Sequence, residues 1–361
     1  MDSLASTAAP SPHAREFCVG KGEPETSPLY LSEPTLYDFF GVRFSLRSNE
    51  PSLNKTLSFL YRHFMVRGGF SEETKLPLRF TLMTDSEYRE PSLRVDTDGA
   101  FDLADVLRRG SNKFRFRIRA TPEGGGWNGV QDAFLSHRFV MAFRGNECRF
   151  HDPVRWRAYA ESVIFHCVLS ILREHSILHA GVVAKQGNGV VLGGGTNRGK
   201  TTLTLGLVRN GFSFLSDDLA FIDPRSKFVA PFPRAVSVHE KTVAFFPECR
   251  AALQTHPTMS LSGDDKWLVD VNELIPNSLG SACPVRTIIL LEGFAERTEL
   301  KPLSRSEAVI GCLNFAHGSA ENAVELMLTL SDLVRDARCY SLRSGVLPEV
   351  VDMITQTVME P

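Results

Sequence analysis

Hydrophobic and polar positions first fall into a pattern at Val42, Phe44 and Leu46, which alternate with Arg43, Ser45 and Arg47. That period of two is the mark of a half-buried strand. After Pro51 the spacing lengthens: Leu53, Leu57, Leu60, Tyr61 and Phe64 recur every three or four positions, predicting a helix that Gly68-Gly69 ends. Strand-like runs follow at 79–83, 113–120 and 138–143, separated by Gly/Pro loops such as 121–129. Together these predict an antiparallel sheet with one or two helices. In the run 113–120, Lys113, Arg115, Arg117 and Arg119 share one face, which reads as a solvated outer face or, more pointedly, as a dock for an acidic partner.

A second helical pattern spans 153–175, with Trp156, Tyr159, Val163, Ile164, Cys167, Val168, Ile171 and Leu172 on one face. Two strands, 177–184 and 190–192, come next, joined by the Gly/Asn-containing turn KQGNG, which predicts a tight hairpin. Further strands are expected near 212–222 and 287–291, followed by helices. Ser304 and Glu307 form a capping-box pattern ahead of Ala308, Val309, Cys312 and Leu313. Residues 1–28 carry Pro10, Pro12, Pro24 and Pro28 with little apolar periodicity and read as a disordered tail. The expected organisation is therefore a tail over 1–28, a smaller α+β domain over 29–150 serving substrate selection or interaction, and an α/β domain over 151–361.

Composition narrows the possible partners. Forty basic and forty-two acidic residues leave a formal charge of −2 in 361 residues, so no global positive field draws in nucleic acid or an anionic membrane. The charge-free apolar run 162–172 falls well short of the roughly 20 residues of a membrane span. The N-terminal residues lack the cationic start and apolar block of a secretion signal, so a cytoplasmic location is expected. Seven scattered cysteines without a CxxC pair argue for reduced, structural thiols.

Against this neutral background, any anion must be held locally, and one segment can do so. Gly194-Gly195-Thr196-Asn197-Arg198-Gly199-Lys200-Thr201 fits G-x-x-x-x-G-K-[ST], with a strand before it and a helical pattern (Leu203, Leu205, Leu207, Val208, stopped by Gly211) after it. In such a loop, backbone N–H groups and the helix N-terminus face phosphate oxygens. Lys200 reaches the β- and γ-phosphates, the Thr201 hydroxyl ligates Mg²⁺, and Thr202 extends the phosphate-binding set. Arg198 either touches phosphate or faces solvent.

Seventeen residues past Lys200, the run GFSFLS ends in Asp217-Asp218. A strand leaving the sheet beside the loop puts these carboxylates at the nucleotide crevice. One can hold Mg²⁺, and the other can accept a proton from an attacking hydroxyl. His179, on the strand that pairs with the loop's own strand, lies in register toward the same end; it reads as a core histidine or a site residue.

The stretch ILHAGVVAKQGNGVVLGGGTNRGKTTLTLGLVRNGFSFLSDDLAFID resembles the catalytic core of the bacterial HPr kinase/phosphorylase family in its order of His, hairpin, phosphate loop, helix and paired Asp. The resemblance implies a P-loop kinase fold related to phosphoenolpyruvate carboxykinase, with ATP and Mg²⁺ as cofactors and a serine-type hydroxyl on a protein, peptide or small molecule as acceptor. It implies Asp217 as general base, Asp218 as metal or phosphate support, and His179 as the residue that orients the pair. It also offers Glu240, within 231–243, as an acidic metal residue, and Lys266, which either faces the phosphates or is a surface lysine. A homo-oligomer is compatible with it. The family's glycine-rich signature is absent from 231–243, which argues against phosphorylase activity and against HPr itself as the acceptor. Two other readings remain: a nucleotide-binding regulatory module without transfer, and a carboxykinase-like enzyme.

Overall fold

Strand Thr35–Phe39 turns back on Val42–Ser48 through Phe40 and Gly41, both at positive φ, and the alternation of that segment buries Phe44 and Leu46 as expected. The computed structural model describes residues 31–67, 76–84, 91–99, 101–109, 132–136, 139–150, 156–172, 174–250, 266–317 and 323–359. The expected tail over 1–28, the basic-faced strand at 113–120, the loop at 121–129 and the Gly68-Gly69 stop lie outside them.

Among the described residues the N-terminal strands form a seven-stranded sheet, antiparallel except where Val42–Ser48 runs parallel to Leu78–Met83. The helix Pro51–Leu60 explains that exception, because a crossover returns the chain in the same direction. This helix is shorter than its apolar pattern: Tyr61 ends it, and Arg62–Phe64 tighten into a 3₁₀ turn that still buries Tyr61. The long helix is Trp156–Ile171, and the apolar residues expected on one face, from Trp156 to Val168, are buried in the same core as the N-terminal sheet.

A ten-stranded sheet follows. Its centre is parallel: Asn188–Gly194, Cys283–Phe294 and Arg338–Ser344 lie side by side. Successive residues of the middle strand face opposite sides. Ile289 and Leu291 pack with the helices Lys200–Arg209 and Leu347–Met359, whereas Ile288 and Leu290 pack with Arg305–Leu313 and Ala323–Asp336. The capping box at Ser304 and Glu307 opens the helix Arg305–Leu313 as its sequence predicts. The chain is thus mixed α/β with several sheets. Among the described residues no helix is long and apolar enough to cross a membrane, and six cysteines are free and buried.

The hairpin at KQGNG has a two-residue turn, Gln186-Gly187, with both residues at positive φ, the twist that suits paired strands. Two predicted strands are each broken in two. The run 177–184 divides at His179 into Ser176–Leu178 and Ala180–Lys185, and the run 212–222 divides at Asp217–Leu219 into Ser213–Ser216 and Ala220–Ile222. The breaks face one another, since Val182 pairs with Ser216 and Leu178 with Ala220. Both chains leave the ladder together, and the residues freed from strand geometry are the histidine and the two aspartates.

Candidate functional site

The strand Asn188–Gly194 delivers the loop. Strand Ala180–Lys185 is antiparallel to it and also to Ser213–Ser216, so the loop strand and the aspartate strand run the same way and end at the same edge of the sheet. Glycines are required here by space. A Cβ on Gly194 would sit 2.9 Å from Cβ of Leu291, and one on Gly181 would sit 2.6 Å from the Thr204 hydroxyl. Asn197 (φ 61) and Gly199 (φ 87) are left-handed, and Gly199 begins the helix Lys200–Arg209 without a side-chain cap. A helix start without a side-chain cap is the form that suits an anion.

Lys200 is buried, with Nζ donating to the carbonyls of Gly194 at 2.6 Å and Gly195 at 3.2 Å. The Thr201 hydroxyl donates to Oδ2 of Asp217 at 2.8 Å, tying the loop to the aspartate pair. Asp217 is only 6% exposed, and its other oxygen, Oδ1, is buried without a hydrogen-bond partner. Burial first, then the neighbouring Asp218 carboxylate, push Asp217 up to about 7, against the pull of Thr201, Lys200 and Arg234.

Asp218 is the more open of the pair, its side chain 48% exposed where Asp217 is buried. Its partner is Arg234, 3.7 Å away, which also reaches Glu161 at 3.2 Å; Glu161 in turn accepts from the buried Tyr61 hydroxyl. The guanidinium lies over the rings of Phe165 and Tyr61. Arg234 had no signal in the sequence, because a single arginine in PFPRAVSV belongs to no motif and its contacts, Asp218, Glu161 and the Tyr61 ring, lie 16, 73 and 173 positions upstream. His179 donates from Nδ1 to the backbone carbonyl of Asp218 at 3.0 Å, while its own N–H bonds the Phe315 carbonyl and its ring meets that of His317 edge-on. Its contact with the pair thus runs through the backbone of Asp218.

The remaining residues spread around this centre. Thr196, Asn197 and Arg198 are exposed, and Arg198 donates to the Glu292 carbonyl at 2.7 Å. The Thr202 hydroxyl lies 3.3 Å from that of Thr242. Glu240 is exposed on the first turn of Glu240–Phe245, which meets the loop helix through Thr242 and through the Phe245 carbonyl, an acceptor for Arg209. Lys266 precedes the strand Trp267–Val269. Among the described residues no three His, Cys, Asp or Glu side chains gather as a metal cluster.

No family model and no curated protein matches the chain. Among solved structures, the Hpr(Ser) kinase/phosphatase from Coxiella burnetii is similar at 13% identity, over 51% of this chain and 99% of that one, with a TM-score of 0.26. So loose an overlap leaves the chemistry to be argued from the residues themselves.

Proposed function

We propose that the chain is a phosphotransferase that moves the γ-phosphoryl group of ATP, with Mg²⁺, to a hydroxyl of the serine type on a protein, peptide or small molecule. The observation that carries this reading is the Thr201–Asp217 hydrogen bond, which joins a phosphate-type loop to a pair of carboxylates. The residues fit the cofactor. The uncapped helix start and the left-handed turn at Asn197 and Gly199 suit phosphate oxygens, and the orphaned buried Oδ1 of Asp217 suits a proton or a cation.

Lys200 then exchanges its loop carbonyls for β- and γ-phosphate oxygens. Thr201 and Asp218 are the residues for Mg²⁺, which would neutralise charge on the phosphates, with Glu240, on the first turn of Glu240–Phe245, as a further acidic candidate. Asp217 takes the proton of the acceptor hydroxyl as that oxygen bonds to phosphorus, while the bridging oxygen leaves with the diphosphate. A group that titrates near neutrality is well matched to this task. His179 holds Asp218 through its backbone, and Arg234 holds its carboxylate.

The Thr201–Asp217 bond also supports an exchange of roles, with Asp217 beside the metal and Asp218 accepting the proton. The test is transfer from γ-labelled ATP to fractionated cell extract, with mass spectrometry of whatever is labelled. Lys200→Ala should abolish nucleotide binding or turnover. Asp217→Asn should keep ATP affinity within a few-fold and lower transfer by roughly 10²–10⁴. Near-normal transfer by Asp217→Asn, with loss in Asp218→Asn, would exchange the two roles. Absence of any labelled acceptor together with tight ATP binding would leave a nucleotide-binding module.

A further inference from the structure

The loop lies between two strand ends of different chemistry. On one side Ser213–Ser216 delivers Asp217 to Thr201. On the other, Cys283–Phe294 runs parallel to the loop strand, pairs Leu291 with Gly194, and ends at Phe294. The run from Ile288 to Leu291 is buried, yet Phe294 is 63% exposed. Its ring is not remote from the loop: Cε1 and Cζ lie 3.5 Å from the point where a Cβ would project from Gly199. The backbone beneath the ring is held firmly. Arg198 donates to the Glu292 carbonyl, the Ala295 N–H donates to Ser344 at 2.9 Å, and Gly293 sits at φ 135, where a side chain would meet the Arg198 guanidinium at 2.5 Å.

We propose that Phe294 is the stacking platform for the base of the nucleotide whose phosphates the loop holds. The inference rests on the reading of the loop given above and adds a direction to it. If the terminal phosphate lies toward Thr201 and Asp217, the ester end of the triphosphate leaves across the loop toward the opposite strand end. There the described residues offer an exposed aromatic ring at fixed height beside the last turn of the loop. A phenyl face binds any base, so the platform supplies affinity with little discrimination between adenine and guanine.

The experiment compares two ligands on the full chain. Dissociation constants for ATP and for inorganic tripolyphosphate, each with Mg²⁺, are measured by calorimetry for the wild type, Phe294→Ala and Phe294→Trp. Stacking of one base on an aromatic side chain corresponds to roughly 5- to 150-fold in affinity. Phe294→Ala should weaken ATP by that factor and leave tripolyphosphate within twofold, and Phe294→Trp should restore ATP. Unchanged ATP affinity in Phe294→Ala overturns the platform, including the case where the variant alters only self-association. Equal weakening of both ligands overturns it too, since the damage would then lie in the loop. If the wild type binds neither ligand, the phosphate-loop reading itself fails and the platform falls with it; if tripolyphosphate binds and Phe294→Ala is silent, only the platform falls.

Discussion

Around Phe39 the rings of Phe44, Tyr61, Phe64, Phe165 and Phe232 close in with centroids 4.7–6.4 Å away, and the side chain is fully buried. Around Gly194 the interior is of another kind. Lys200, Thr204 and Asp217 are buried there, and both Thr204 Oγ1 and Asp217 Oδ1 lack hydrogen-bond partners. The first region is bought with apolar area and edge-to-face rings, so nearly every group in it lowers the free energy of folding. The second retains costs that packing alone would have removed: desolvated carboxylate, left-handed backbone, glycines forced by close approach. A desolvated carboxylate, left-handed backbone and close-approach glycines coincide at one phosphate-type loop, the arrangement expected of a place with a task beyond folding.

Three measurements test whether the two regions differ in this way. The largest effect should come from Phe39→Ala, which deletes the hub of the ring cluster and should cost about 3–5 kcal/mol by urea denaturation. ATP affinity at temperatures where the variant stays folded should be unchanged; a parallel loss would mean that the two regions are one mechanical unit.

Next comes Asp217, measured in Mg²⁺-free buffer. Its carboxyl titrates near 7 in the folded chain against 3.8 for the ordinary group, so the folded state binds the proton more tightly. Its contribution is fully present below pH 3.8 and is lost as pH rises through 7, an unfavourable drift of a few kcal/mol across that window. Asp217→Asn should flatten that drift and unfold later than the wild type at pH 8. Equal pH dependence in the two proteins would show that the carboxylate is not desolvated as described.

The smallest effect is expected at Ser304→Ala, which removes the cap of Arg305–Leu313 and should lower the unfolding midpoint by about 2 °C without touching nucleotide affinity.

Local signals were legible in the sequence. The hairpin at Gln186-Gly187 is written in turn residues, the helix Trp156–Ile171 in its apolar spacing, and the cap at Ser304 and Glu307 in a four-residue pattern. The approach of Asp217 to Thr201 was also foreseeable, because a strand order and a carboxyl end suffice to argue it. What could not be read depends on distant chain. The breaks at His179 and at Asp217–Leu219 arise because each segment pairs with different neighbours on either side of the break, and nothing in the apolar run ILHAGVVA announces it. Strands Glu299–Pro302 and Arg338–Ser344 escaped for a related reason: their pairing with each other and with Cys283–Phe294 is set by the sheet rather than by local alternation.

The thread from Tyr61 through Glu161 and Arg234 to Asp218 has a practical consequence for anyone who would trim this protein. A fragment beginning near residue 151 would keep the glycine loop and both aspartates, yet it would shed Tyr61, whose phenol anchors Glu161 and whose ring is one of the two beside the guanidinium. Asp218 would then answer to an arginine whose other acidic partner, Glu161, has lost its own hydrogen-bond donor. The minimal working piece is accordingly larger than the piece that carries the recognisable motif.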